Sequence, residues 1–177
     1  RNVDILIEED RIKKIGRGLK EKVDEIINGK GKLALPGFIN CHTHSPMILF
    51  RGIADDLPLM EWLTKHIWPR EKRLKPKHIY IGCLLACMEM IRSGITCFND
   101  MYFYANEAAK AAEEVGIRSV LSSVLLDVLP EKAGWNIFIK ILKELERLKS
   151  PLITPALGPH SVYACSLENL RRIKELM

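Results

Sequence analysis

Two histidines one residue apart, His42 and His44, are the part of this sequence best suited to chemistry. The apolar residues Leu33, Leu35, Phe38 and Ile39 lead into them, interrupted by Pro36-Gly37, and a Ser45-Pro46 turn follows. This pattern predicts a buried strand from about Leu33 to Asn40, kinked or bulged at Pro36-Gly37. Residues two apart in extended chain share a face, so both imidazoles should aim into one space while Cys41 and Thr43 point the other way. Two neutral imidazoles from one strand end make half of a zinc-type site. A bare His-x-His also occurs in many proteins that hold no metal; the strand before this one and the turn after it favour the metal.

The elements that must carry this pair alternate in type. Ile5 to Ile7 and Arg11 to Gly16 read as a hairpin around a Glu8-Glu9-Asp10 turn, with Val23 to Ile27 as a further candidate strand before Asn28-Gly29. After the histidines comes a long connection, Ser45 to Pro76, with a short amphipathic helix at Leu57 to Leu63; connections of this length are usually functional. Lys77 to Arg92 reads as a helix opened by Pro76 and closed by Gly94. Strands are expected at Ile95 to Asn99, Arg118 to Leu125 and Leu152 to Leu157, and helices at Asn106 to Val115, Trp135 to Leu148 and Leu167 to Met177. Strands alternating with helices argue for parallel βαβ units. Polar residues cluster after the strand ends: His42 and His44, then Asp100, Asp127 and His160. That is where an α/β barrel keeps its active site. A doubly wound open sheet also fits the alternation, but its Gly-rich phosphate loop is missing, which ranks it second.

Composition sets the outer bounds. A chain of 177 residues suffices for one domain with a sizeable core. No apolar run reaches membrane-spanning length, and the net charge of +5 comes from basic residues interleaved with acids, which disfavours membrane and nucleic-acid partners. The start shows no signal-peptide pattern and no initiator Met, so residues are expected to precede it. Five cysteines without zinc-ribbon spacing fit a reducing cytoplasm, with Cys83 and Cys87 as small buried hydrophobes. His66 and His78 sit on expected helices as surface or packing residues.

Leu35-Pro36-Gly37-Phe38-Ile39-Asn40-Cys41-His42-Thr43-His44 resembles the end of the first barrel strand in the amidohydrolase superfamily. His42 to Met47, Phe50-Arg51-Gly52, Asp55-Asp56-Leu57, Glu61-Trp62-Leu63, Met88 to Gly94, Phe98 to Phe103 and Gly158 to Ser166 narrow the likeness. They are similar to the deaminases of 5′-methylthioadenosine and S-adenosylhomocysteine and to archaeal 5′-deoxyadenosine deaminases. Guanine deaminases and triazine hydrolases share only part of the set. The resemblance implies the first four βα units of a TIM-like (β/α)8 barrel over residues 32–177, preceded in residues 1–31 by part of a small β-sandwich domain. It implies hydrolytic deamination of an adenosine-type nucleoside, with one divalent metal, zinc foremost, held in part by His42 and His44. Glu71 matches the acid that binds the ribose hydroxyls and His160 a histidine that contacts the nucleoside; Trp62 is a candidate wall. By themselves Glu71 reads as an acid at a helix start, His160 as a turn histidine and Trp62 as a core ring.

In that family further metal histidines follow strands five and six and a metal aspartate follows strand eight. The expectation is therefore a fragment with no catalytic acid or base of its own, inactive alone. The expected partners are a small nucleoside and, as an open question, a second copy of the chain. Ser123 stands where the methylthioadenosine/adenosylhomocysteine type carries an arginine for the amino-acid tail, and Trp135 falls near the matching loop position, which favours a smaller 5′ group. Other readings are an enzyme of the superfamily acting on guanine or a chlorinated triazine, and a non-catalytic half-barrel that binds metal or a partner.

Overall fold

The computed structural model describes residues 3–177, and its contacts divide the chain into two compact units, Arg1–Pro36 and Gly37–Met177. In the first, β1 (Asp4–Glu8) and β2 (Arg11–Gly16) form an antiparallel hairpin with a register shift between Leu6 and Ile7. The Asp4 carboxylate accepts from the Leu19 amide at 3.1 Å, and Lys14 pairs with Glu21 at 2.7 Å, which folds the following chain back on the hairpin. Val23 to Ile27 is not a strand: the segment is irregular, and Ile26 and Ile27 lie 85% and 79% exposed. Branched residues favour a strand only where a neighbouring ladder and an apolar face receive them.

The second unit holds one sheet of four parallel strands in chain order: β3 (Phe38–Thr43), β4 (Ile95–Tyr102), β5 (Arg118–Leu125) and β6 (Ile153–Pro159). Between them run α1 (Pro76–Arg92), α2 (Ala105–Val115) and α3 (Trp135–Arg147), and α4 (Leu167–Leu176) follows β6. The breakers act as expected. Pro76 sits in the first turn of α1, and Gly116 takes φ +78° to end α2, a left-handed conformation in which glycine carries no Cβ penalty.

The strand before the histidines differs from expectation. It begins at Phe38, not Leu33, and runs on through Thr43. Pro36 has no amide to donate, and pairing starts where Phe38 N–H meets the Gly94 carbonyl at 2.9 Å and Phe38 registers with Ile95. Gly37 lies so close to Thr96 that a Cβ there would fall 2.2 Å from its methyl carbon, leaving room for no other residue. The long connection is also more ordered than the sequence suggests. Ser45–Phe50 is a 3-10 helix, and Leu59 to Glu71 is wound helically throughout, with Trp62–Ile67 as a π-helical turn between two short α-helical pieces.

The core lies between the sheet and its helices. Phe98, Leu121 and Ile117 from the sheet side meet Cys83, Cys87 and five buried alanines of α2. Full burial of a side chain such as Phe98 stabilises by about 1.5–3 kcal/mol. Alanines bring α2 close to α1, and Gly82 does the same for the 3-10 helix: a Cβ there would lie 2.9 Å from the Pro46 carbonyl oxygen. The segment that carries the second histidine into its turn is thus pressed against α1. No described helix is long and apolar enough to cross a membrane.

Candidate metal and substrate site

His42 lies in the last turn of pleat in β3 and His44 one residue past its end. Their ring centroids are 5.0 Å apart with planes at 77°, so period two does bring them together. His44 Nδ1 lies 2.7 Å from the Met101 carbonyl oxygen. That oxygen only accepts, so Nδ1 carries the proton and Nε2 keeps a lone pair for a ligand, the usual arrangement of a metal-binding imidazole. The donor set therefore fits a two-histidine share of a divalent-ion site. Among the described residues no group of three His, Cys, Asp or Glu side chains gathers around a common point.

Asp100 is not a third ligand. Its carboxylate is buried, 2% exposed, and accepts from Ser45 N–H at 2.7 Å, Thr43 Oγ1 at 2.8 Å and Ser45 Oγ at 2.9 Å. Those donors flank His44, so Asp100 ties both neighbours of the histidine to β4. Burial pushes its pKa up, against the downward pull of these hydrogen bonds and of His44. Ser45 Oγ also meets Cys83 Sγ at 3.1 Å. Cys83 and Cys87 are fully buried, and desolvation, with Asp100 nearby, raises both thiols, Cys87 to about 12. They act as small hydrophobes rather than nucleophiles.

Glu71 ends the helical stretch of the long connection, and its Oε1 accepts from Tyr102 Oη at 2.6 Å. Tyr102 closes β4 and its ring lies 6.2 Å from that of His44. Burial first, then the Glu71 charge, raises the phenol, so it stays a neutral donor. Lys132, only 9% exposed, donates to the backbone carbonyls of Glu71 and, at 3.3 Å, of Leu74, and lies 5.6 Å over the Phe103 ring. Burial lowers its pKa, while Glu71 and Glu131 pull it back up.

His160 stands just past β6, its amide donating to the Leu125 carbonyl at 3.1 Å and its Nδ1 3.3 Å from Ser161 Oγ. The residue is exposed, yet its ring is pulled below its ordinary value, by partial burial first, then by His44; Glu71 acts in the opposite sense. His160 thus stands past the same end of the parallel sheet as His44. Gly158 opens the same end: a Cβ there would lie 2.8 Å from the Ser122 side chain and 3.2 Å from Met101 Cγ.

Other candidates have structural duties. The Trp62 indole N–H donates to the Ile53 carbonyl at 3.1 Å and pins the long connection. Asp127 accepts from Ser166 N–H at 2.5 Å and Asn169 Nδ2 at 2.7 Å, anchoring the start of α4. Desolvation raises its carboxyl, but these hydrogen bonds outweigh it and leave it below the ordinary range. Ser123 is buried and donates to the Phe138 carbonyl at 2.7 Å, and Trp135 stacks under the Arg172 guanidinium at 3.7 Å. His66 and His78 are half-buried, with His78 Nδ1 accepting from the Lys75 amide at the start of α1. Tyr102 and Lys132 escaped the sequence reading: Tyr102 is visible only as the last residue of an apolar strand, and Lys132 has no local signal at all.

Comparison with known proteins agrees with this geometry. The chain is 51% identical to 5′-deoxyadenosine deaminase of Methanocaldococcus jannaschii over 98% of its own length and 42% of that protein's. It is 49% identical to 5-methylthioadenosine/S-adenosylhomocysteine deaminase of Thermococcus sibiricus over 97% of its length and 41% of that protein's. The chain thus spans less than half the length of these curated relatives. Among solved structures, a zinc-bound adenosine deaminase from Xanthomonas campestris superposes with a TM-score of 0.75 at 37% identity, over 80% of this chain and 33% of that one. The model of the amidohydrolase family matches residues 33–177, and with its parallel α/β sheet and paired strand-end histidines this chain belongs to that family.

Proposed function

We propose that this chain is part of a metal-dependent aminohydrolase that converts an adenosine-type nucleoside and water into the inosine analogue and ammonia. The substrate class is that named for its relatives: 5′-deoxyadenosine, 5′-methylthioadenosine or S-adenosylhomocysteine. The observation that carries the reading is the gathering of His42, His44, Tyr102-held Glu71 and His160 at one end of a parallel sheet. In this reading Gly37–Met177 supplies four βα units of an eightfold barrel, and the β1–β2 hairpin belongs to a small β domain. A two-stranded hairpin with Ile7, Ile12 and Ile15 largely exposed needs a further apolar surface, which supports that assignment.

His42 and His44 would hold the ion, His44 through Nε2. A bound divalent ion, zinc foremost, supplies Lewis acidity that readies water for attack at C6 of the adenine. Glu71 accepts from the ribose hydroxyls; Tyr102 occupies Oε1, which leaves Oε2 to the sugar. His160, biased toward its neutral form, donates to or accepts from the nucleoside. Trp62 walls the approach. Each group fixes the ring where attack at C6 needs it, and positioning of this kind supplies several kcal/mol of barrier lowering. The remaining ligands and the proton-transfer acid and base come from outside residues 1–177, so the piece alone is expected to be inactive. The reading places the enzyme in the cytoplasm, acting on a small soluble substrate.

The test is the product of the whole gene, zinc-loaded, mixed with 5′-deoxyadenosine while the adenine absorbance is followed. Metal-dependent loss of that absorbance supports the reading. No loss with any of the three nucleosides overturns it, and guanine and chlorinated triazines become the next substrates to try.

A further inference from the structure

We infer that Lys132 and Tyr102 are positioning residues that set the Glu71 carboxylate for the substrate's vicinal hydroxyls; the inference rests on the function proposed above. The two reach Glu71 from different elements. Tyr102, at the end of β4, donates to Oε1 at 2.6 Å, and Lys132, in the short helix Pro130–Ala133, donates to the Glu71 backbone carbonyl. Lys132 also reaches the Leu74 carbonyl at 3.3 Å. Carbonyls at the end of a helical stretch lack helical partners; that of Glu71 accepts from the Leu74 amide at 3.0 Å and from the ammonium, which together close that end.

Burial makes the choice of lysine informative. An ammonium 9% exposed has lost most of its water, and two carbonyls and the Phe103 ring at 5.6 Å replace only part of it. A neutral donor would close the helix end at less cost. What a cation adds is attraction to the Glu71 carboxylate, an influence mutual with the upward pull that Glu71 exerts on Lys132. Tyr102 thus fixes one carboxylate oxygen of Glu71 and leaves the other for the sugar. Lys132 touches no reacting atom and acts through Glu71.

The experiment uses the whole gene product, wild type against Lys132→Met, which keeps the apolar stem, and Tyr102→Phe, which removes one oxygen. Steady-state kinetics are taken on 5′-deoxyadenosine and on its 2′-deoxy counterpart. Each substitution should raise KM for the vicinal diol about tenfold, leave kcat within about twofold, and shrink the preference over the 2′-deoxy substrate by the same factor. Lys132→Arg should restore part of that preference. Amide exchange across residues 71–75 should quicken in Lys132→Met and not in Tyr102→Phe. Equal losses on both substrates, or unchanged exchange in Lys132→Met, overturns the inference while leaving the function standing. A wild type with no preference for the diol removes the role of Glu71 and the inference with it. If Lys132→Met does not fold, Tyr102→Phe and Lys132→Arg decide on the diol preference alone.

Discussion

Gly82→Ala separates helix propensity from tertiary fit. Gly82 is buried inside α1, where alanine should be better by about 1 kcal/mol on propensity alone. The structure reverses the sign. The new Cβ would meet the Pro46 carbonyl oxygen at 2.9 Å, Pro46 Cα at 3.0 Å and Leu49 Cδ1 at 3.2 Å. Ordinary carbon–oxygen contacts are about 3.3–3.6 Å, so the 3-10 helix must back away by about 0.5 Å. Two of the three obstacles are backbone, which no rotamer change relieves. Overpacking of this kind costs about 1–3 kcal/mol, which offsets the propensity gain and leaves a net loss of up to about 2 kcal/mol. The shift also pulls Ser45 from Asp100, and with it the turn that aims His44. Zinc affinity should therefore fall about tenfold, in the range seen when partners of metal ligands are disturbed. The assay is thermal unfolding of the whole gene product, with and without zinc, beside zinc competition against a chromophoric chelator. A Tm raised by the substitution, with unchanged zinc affinity, would refute the argument that Gly82 is fixed by the approach of Pro46.

Three further outcomes are expected. Gly116→Ala should lose about 1–2 kcal/mol although nothing lies within 4 Å of the added methyl, because φ there is +78°; an unchanged Tm would contradict this. His44→Ala should abolish zinc retention on dialysis, whereas His66→Ala should leave the metal content unchanged, as metal analysis would show. Asp127, held below the ordinary carboxylate range, contributes stability above its unfolded value near pH 4, and that contribution is lost as pH falls through the lower folded value. Asp127→Asn should therefore lower stability at neutral pH and flatten its fall in acid, measured by denaturant titration from pH 7 to pH 2.

What local pattern could specify, the sequence determined alone. The strand Arg118–Leu125 and the helices ending at Arg92 and Val115 follow from periodicity and from Pro76, Gly94 and Gly116, which act within a few residues of their own position. The convergence of His42 and His44 needs only the twofold pleat of a strand. Tertiary structure decided the rest. Phe38, not Leu33, begins its strand because only there does a partner amide-and-carbonyl ladder exist. Val23 to Ile27 has the composition of a strand and no ladder to join. Asp100 and Asp127 look alike in sequence, each a carboxylate after a strand, yet both turn to backbone and side-chain donors, while Glu71, an ordinary acid after a Trp-Pro pair, is held by Tyr102, whose ring neighbours His44. Tyr102 and Lys132 reach Glu71 across 31 and 61 residues of chain. Periodicity reports which way a side chain points from its own element; what it meets there is set by how separate elements dock, through contacts distant in sequence that no local pattern encodes.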